Sequence, residues 1–430
     1  MSKILFIYPN IEKSIQENMA IEALSANLQL NGFSDILLWD NTFDSKKELT
    51  RLVKEFSPTH ICYTALSPDF EYAKEINNAI KEYHTATTII GGPHVTFLPF
   101  EGIEHFDVVF RGEADNSLVQ YIKTSDNKTK GAWIKDGNTI YMNELDDLPD
   151  VRKLPWPDHD LFNLHMDKKI TWSKLPINTY GTFMTARGCP FKCTYCYSKG
   201  MQDLYCGQKY NRHRNIHNVI MEIKYFSDRY NMDALYIIDE TLTTNKKRII
   251  DFCKEYKEVV NIPWHCETRP NAVNEEVLSA MKDAKCETVM MGIESGSDRI
   301  RNGLYKRNLS EEQIIFAFKT AKKVGIQTSA FNICGAPTET IEEMRETIDL
   351  NKRCSVDMGK MTIFNAFPGS ELWDYCNNNG YYIRKQYPKN YYIDSNFQHD
   401  TLSIKQLIDL RKEYVDSIGG YSGSKNKEEV

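Results

Sequence analysis

No apolar stretch in this 430-residue chain approaches the ~20 residues a helix needs to cross a bilayer. The opening segment MSKILFIYPN has too short an apolar run for the core of a signal peptide, and it lacks a small-residue cleavage site. The sequence therefore predicts a cytoplasmic protein with no membrane partner. An excess of positive charge is also missing: 53 Lys and Arg stand against 59 Asp and Glu, a net charge of -6. That balance argues against a general nucleic-acid binder and leaves a small molecule as the expected substrate. No internal repeat or low-complexity tract of any length is present. An odd set of eleven cysteines in a long chain argues against a disulfide scaffold and for metal or redox use.

What is present is alternation of short apolar strands with amphipathic helices. In the first ~120 residues, strands are expected at 3–8, 36–39, 60–64, 87–90 and 108–110, with helices at 19–29, 46–56 and 71–83. This predicts an α/β, doubly wound (Rossmann- or flavodoxin-like) sheet, with ligands at the carboxyl ends of the strands. A hairpin around Asp136-Gly137 and the proline-rich, charged LDDLPDVRKLPWPDHDLF suggest a connector over 131–175. From Tyr180 the alternation resumes. Strands are expected at 182–185, 234–238, 264–268, 288–292, 327–333 and 360–364. Helices are expected at 216–230, 246–260, 275–283, 311–324 and 341–354. Six βα units predict a partial or complete barrel over 176–375, with its chemistry at the strand C-termini. Residues 376–430 form an extension: GYYIRKQYPKNYYID reads as a packed surface segment, and the polar tail after Tyr421 as disordered.

Eight cysteines are scattered singly and read as small buried hydrophobes. The other three, Cys189, Cys193 and Cys196, lie on one tight loop in TARGCPFKCTYCYSKG, just after the first strand of the second domain. Three thiolates can hold three irons of a 4Fe-4S cube. Such clusters are normally held by four cysteines, so the remaining iron takes an outside ligand. The alternative is a zinc knuckle with Cys206 or His213 as fourth ligand.

This C-x3-C-x2-C spacing, with aromatic Tyr195 before the last cysteine, resembles that of the radical S-adenosylmethionine (SAM) enzymes. The resemblance extends in order along the barrel: YIIDETLTTN after the second strand, MMGIESG at the fourth, FNICGAPTET at the fifth and FNAFPGSEL at the sixth. It implies that the open iron chelates SAM and that SAM is cleaved to a 5′-deoxyadenosyl radical. It also implies that Glu294, beside Ser295, contacts the SAM ribose. A ribose diol needs an acceptor, which Glu294 supplies; the SAM carboxylate needs a cation, for which Arg269 and Arg307 are candidates, or each is a structural ion pair. Asp239 and Glu240 are candidate acceptors for the SAM amine or the substrate. Glu240 and Leu242 depart from the Asp and Phe more usual in the family.

The first domain resembles the cobalamin-binding radical SAM group. The resemblance rests on IIGGPHVTFLP, with Gly91, Gly92 and His94, followed by FDVVFRGEAD, and on ICYTALSPDF, with Thr64 and Ser67. It implies a cobalamin-binding-type domain over 1–130. There are departures. No Asp-x-His-x-x-Gly follows the first strand, where PNIEKSIQ stands instead, and RGEAD replaces Arg-Gly-Glu-Gly-Glu. A purely structural flavodoxin-like domain is the alternative, and His94 either faces cobalt or caps a turn.

The cofactors implied are a 4Fe-4S cluster, SAM and cobalamin, with a flavodoxin or ferredoxin as reductant. The activity implied is a cobalamin-dependent methyltransferase acting on an unactivated carbon. A cobalamin-independent radical SAM enzyme catalysing cyclisation, rearrangement or coupling is the alternative. A cluster- or zinc-stabilised binding protein would show no SAM turnover. A methylthiotransferase would want a second cysteine triad, which the sequence does not contain.

Overall fold

A computed structural model describes residues 2–13, 15–165 and 179–419. The chain divides into two compact units, Met1–His165 with Met201–Gln208, and Met166–Gly200 with Lys209–Val430. The end of the expected connector, 166–175, and the tail after Tyr421 lie outside the described residues.

The first unit holds one seven-stranded sheet: β1 (Ile4–Tyr8), β2 (Ile36–Asp40), β3 (His60–Thr64), β4 (Thr87–Gly91), β5 (Val108–Phe110), β6 (Ala132–Asp136) and β7 (Thr139–Met142). The order is β2-β1-β3-β4-β5-β6-β7. The first five strands are parallel, and β6 and β7 add antiparallel. Parallel strands covered on both faces read as continuous apolar runs, as in ILFIY of β1. One face buries Leu5, Ile7, Trp39, Phe70 and Phe106. The other buries Ile4, Phe6, Ile89, Phe110 and Ile122. The hairpin assigned to the connector is thus an extension of this sheet. Helix Ser67–Lys81 begins earlier than its apolar period suggests, because Pro68 opens its first turn.

The second unit carries six parallel strands: β8 (Tyr180–Phe183), β9 (Ala234–Ile237), β10 (Trp264–Thr268), β11 (Cys286–Glu294), β12 (Gln327–Cys334) and β13 (Met358–Ile363). They run in the order β13-β12-β11-β10-β9-β8. Neighbours pair consecutively, and β8 and β13 do not pair with each other, so the barrel is partial. Side chains alternate between the helix layer and the lumen. In β13 the buried residues Gly359, Met361 and Ile363 alternate with the partly open Met358, Lys360 and Thr362. The helices between the strands start at polar caps: Asn215, Asn245, Asn274, Ser310 and Thr340 each accept a backbone N–H from the first turn.

Candidate cluster and SAM site

The cysteine loop is bolted at its middle. Thr194 is buried; its hydroxyl donates to the Leu304 carbonyl at 2.7 Å and its N–H to that of Tyr305 at 3.2 Å, while its carbonyl accepts from the Leu372 N–H at 2.9 Å. The Cys196 N–H closes a turn onto the Cys193 carbonyl at 3.2 Å. Fixing Thr194 holds Cys193, Tyr195 and Cys196 around it. All three thiols are free of disulfides. Cys189 Sγ lies 3.5 Å from the Thr241 hydroxyl, and Cys193 Sγ accepts from Arg269 Nη1 at 3.4 Å. Burial pushes the Cys189 and Cys196 thiols up, a cost that iron ligation offsets by taking the thiolate.

Beside the loop stand two buried guanidinium groups. Arg307 donates to the Tyr195 hydroxyl, to Glu294 at 3.1 Å and to the Gly292 carbonyl at 2.6 Å. Arg269 donates to the Arg307 carbonyl, and its guanidinium lies 4.1 Å over the Phe191 ring. Burial lowers the Arg269 pKa, with the Arg307 charge adding to the effect. Burial pushes the Glu294 carboxyl up, and Arg307 opposes this. Glu294 itself sits at φ +66, at a register shift in β11. Its carboxylate folds back over Gly292, where a Cβ would stand 2.1 Å from it.

These residues fit an anionic cluster and SAM. Arg269 Nε and Arg307 Nε are buried donors with no partner in the protein, and buried donors are normally satisfied. Glu294 pairs with Arg307 and Arg269 adds a second cation beside them, so the site has room for further negative charge, which thiolates and a ligand carboxylate supply.

Other expected residues lie as follows. Ser295 is fully buried and its carbonyl accepts from Arg301 at 3.1 Å. Asp239 is buried and accepts from the Thr185 N–H at 2.6 Å, the Thr185 hydroxyl at 2.5 Å and the Ala186 N–H at 3.1 Å, so it anchors the strand end before the cysteine loop. Glu240 is exposed and accepts from the Ser198 hydroxyl at 2.9 Å. Sequence reasoning missed Thr194, Thr241 and Phe191; only Phe191 carried a signal, as the aromatic between the first two cysteines. A cavity of about 140 Å³ opens at Tyr195, lined also by Ile333, Thr362, Phe364, Asn365 and Tyr391. A larger cleft of about 690 Å³ near Asp298, Asn302 and Glu346 includes none of these residues.

In the first unit, the strand order places a topological switch point between β1 and β3, the usual ligand crevice of such sheets. Thr64 ends β3 opposite Gly91 of β4. Gly92 has φ +105, and a Cβ there would meet the Ala65 carbonyl oxygen at 2.7 Å, so only glycine brings the two loops this close. His94 is buried. Its Nδ1 lies 3.1 Å from the Ser67 hydroxyl and its Nε2 3.3 Å from Glu101. The ring stacks on Phe70 at 4.1 Å between centroids. Both nitrogens are engaged within the domain, so the turn-fixing role fits His94.

The model of the radical SAM superfamily matches residues 183–350, and that of the B12 binding domain matches residues 13–122. The chain is 32% identical over 396 residues to the uncharacterized methyltransferase PH0819 of Pyrococcus horikoshii, covering 89% of this chain and 82% of that protein. This protein belongs to the B12-binding radical SAM enzymes. Its cofactors are accordingly a 4Fe-4S cluster, SAM and cobalamin. It is also 25% identical to cytidylyl-2-hydroxyethylphosphonate methyltransferase of Streptomyces wedmorensis, over 78% of this chain and 70% of that one. Identity to the anaerobic magnesium-protoporphyrin IX monomethyl ester cyclase of Rubrivivax gelatinosus is 24%, over 86% and 69%. Among solved structures, the radical SAM methyltransferase TsrM from Kitasatospora setae, with cobalamin and a 4Fe-4S cluster bound, has the same fold. Its TM-score is 0.73 at 15% identity, covering 89% of this chain and 79% of that one. Among the described residues no helix is long and apolar enough to cross a membrane.

Proposed function

We propose that this enzyme is a cobalamin-dependent methyltransferase acting on an unactivated carbon of a small molecule, in the cytoplasm, with a flavodoxin or ferredoxin as electron donor. When bound, the cluster and SAM supply an organic radical and the corrin supplies a methyl carrier. Cys189, Cys193 and Cys196 would hold three irons. Arg269 and Arg307 would take the SAM carboxylate, and Glu294 would accept from the ribose. Tyr195 and the cavity beside it would exclude water around the base. Thr64, Ser67, Gly91 and Gly92 would line the cobalamin crevice, with His94 holding Ser67 in place.

The observation that carries the reading is the pair of unpartnered guanidinium donors beside the cysteine loop, in a chain that also holds a flavodoxin-order sheet. The test is anaerobic reconstitution with iron, sulfide and hydroxocobalamin, followed by metal counting and turnover with SAM and a reductant. About four irons and about one cobalt per chain are expected, with cobalt-dependent formation of S-adenosylhomocysteine. 5′-Deoxyadenosine without S-adenosylhomocysteine would favour the second reading, a radical cyclisation or rearrangement with no methyl transfer. The likeness to a ring-forming cyclase supports that alternative.

A further inference from the structure

Below the SAM-type residues, the barrel lumen is polar in a way that the cofactors do not explain. The register aligns Gly292 of β11 with Phe331 of β12 and Lys360 of β13, so these residues form one level of the lumen, next to Glu294. Their neighbours on the lumen face are Tyr236 of β9 and Glu267 of β10. Tyr236, Glu267, Phe331 and Lys360 are all partly open, whereas the outward-facing Leu235, Cys266, Ala330 and Met361 are buried. An open inner row beneath a closed outer row describes a cavity lining.

The charges in this lining are not closed off among themselves. The Lys360 ammonium lies 5.4 Å from the centre of the Phe331 ring, and among the described residues it makes no ion pair or hydrogen bond. Burial lowers its pKa and Glu267 opposes the shift, so the two groups sense each other across the lumen. Glu267 accepts a hydrogen bond from the Tyr236 hydroxyl, which leaves acceptor capacity on its carboxylate. Burial pushes the Glu267 carboxyl up, with Tyr236 and Lys360 opposing. On the same lumen face, Thr182 and Thr288 have buried hydroxyls with no partner.

We propose that this lumen is the substrate seat, and that Lys360 and Glu267 select a small substrate carrying a carboxylate and, at a distance from it, a hydroxyl or amine donor. The inference rests on the radical chemistry proposed above. The substrate carboxylate lies on Lys360, its donor group on Glu267, and its apolar body against Phe331. One ammonium matches one negative charge. A phosphate dianion would bring a second charge toward Glu267 and Glu294, which disfavours it. The position suits a radical reaction, because the level of Lys360 abuts the level of Glu294 and of the cavity at Tyr195, where Ile333 and Thr362 lie one lumen position further along β12 and β13.

The test uses the full chain, reconstituted with its cluster and saturated with SAM. Binding of 4-hydroxybenzoate, of its methyl ester and of inorganic phosphate is followed by ligand-detected NMR. The acid is expected to bind at least tenfold more tightly than the ester, with phosphate unable to displace it. Lys360→Met should abolish that preference, and Glu267→Gln should weaken the acid while leaving the acid-over-ester ratio in place. Equal binding of acid and ester, no binding of the acid, or displacement by phosphate would overturn the proposal. The comparison of acid with ester is made on the unmodified protein, so it does not depend on the variants folding. Iron content and SAM binding are measured on the same samples. Intact values there with a failed carboxylate test would remove the substrate assignment and leave the enzymatic reading standing.

Discussion

Arg307 reaches three groups from two parts of the chain: Glu294 at 3.1 Å and the Gly292 carbonyl at 2.6 Å on one strand, and the Tyr195 hydroxyl on the cysteine loop. It therefore links the fourth barrel strand to the cysteine loop through one rigid planar group. Removing the cation from such a buried pair leaves a carboxylate uncompensated, typically at ~3–5 kcal/mol. Arg307→Gln should lower the thermal midpoint markedly, whereas Glu294→Gln, which leaves no bare carboxylate, should lower it less. Differential scanning calorimetry of the two variants checks the order.

Glu294→Ala should weaken SAM binding at least tenfold while iron per chain stays the same, because the acceptor is lost and the cysteines are not. Equilibrium dialysis with labelled SAM beside an iron assay reads both quantities. Unchanged SAM affinity would remove Glu294 from the site.

Replacing Cys189, Cys193 and Cys196 together with Ala should abolish iron binding and the visible absorbance of the reconstituted protein. Cys206 is exposed, and Cys206→Ala should leave both unchanged. Loss of iron in that single variant would revive a four-cysteine site.

Gly92→Ala should destabilise the first unit by ~1–3 kcal/mol, the usual cost of an imposed left-handed backbone, to which the 2.7 Å approach of Ala65 adds. Urea unfolding followed by cobalamin titration separates lost stability from lost binding. Gly32, at φ +92 with nothing within 4 Å of a Cβ, provides the control for φ alone.

Glu339 is fully buried, and burial pushes its carboxyl up to about 8, although the Gly335 and Ala336 N–H groups oppose the shift by donating to it. Its folded pKa thus lies above the ordinary 4.5, and the folded chain binds the proton more tightly than the unfolded chain. The stability this confers is complete below pH ~4.5 and is lost as the pH rises through about 8. Unfolding free energies should carry a falling component across that window, and Glu339→Gln should flatten it.

Four elements bounded by a cap or a turn were legible to the residue. Helices Ile216–Tyr230 and Ile341–Cys354 begin after Asn215 and Thr340, and strands His60–Thr64 and Trp264–Thr268 are bounded by turns. Helices Pro93–Phe97 and Pro99–His105 were not, because five to seven residues hold no readable period and the Gly-Gly-Pro before them reads as a turn. The cysteine loop was legible because its ligands are close in sequence. The environment of Asp239 was not: its partners Thr185 and Ala186 lie more than 50 positions away. Lys360 shows in sequence only as one polar position in MGKMTI, and its inward aim depends on strand register.

A parallel sheet that stops at six strands has two raw edges, and an uncovered edge is a template for another chain. On β13 the Gly359 N–H donates to the Gly419 carbonyl at 3.2 Å and the Ile363 N–H to that of Tyr391 at 2.8 Å. Helix Ile404–Ile418 lies against the same strand, with Tyr414 where a Cβ on Gly359 would stand. The segment 391–419 is thus a selvage, the finished border that keeps an open weave from joining its neighbour. Trimming it would leave the β13 edge open to pairing with another chain.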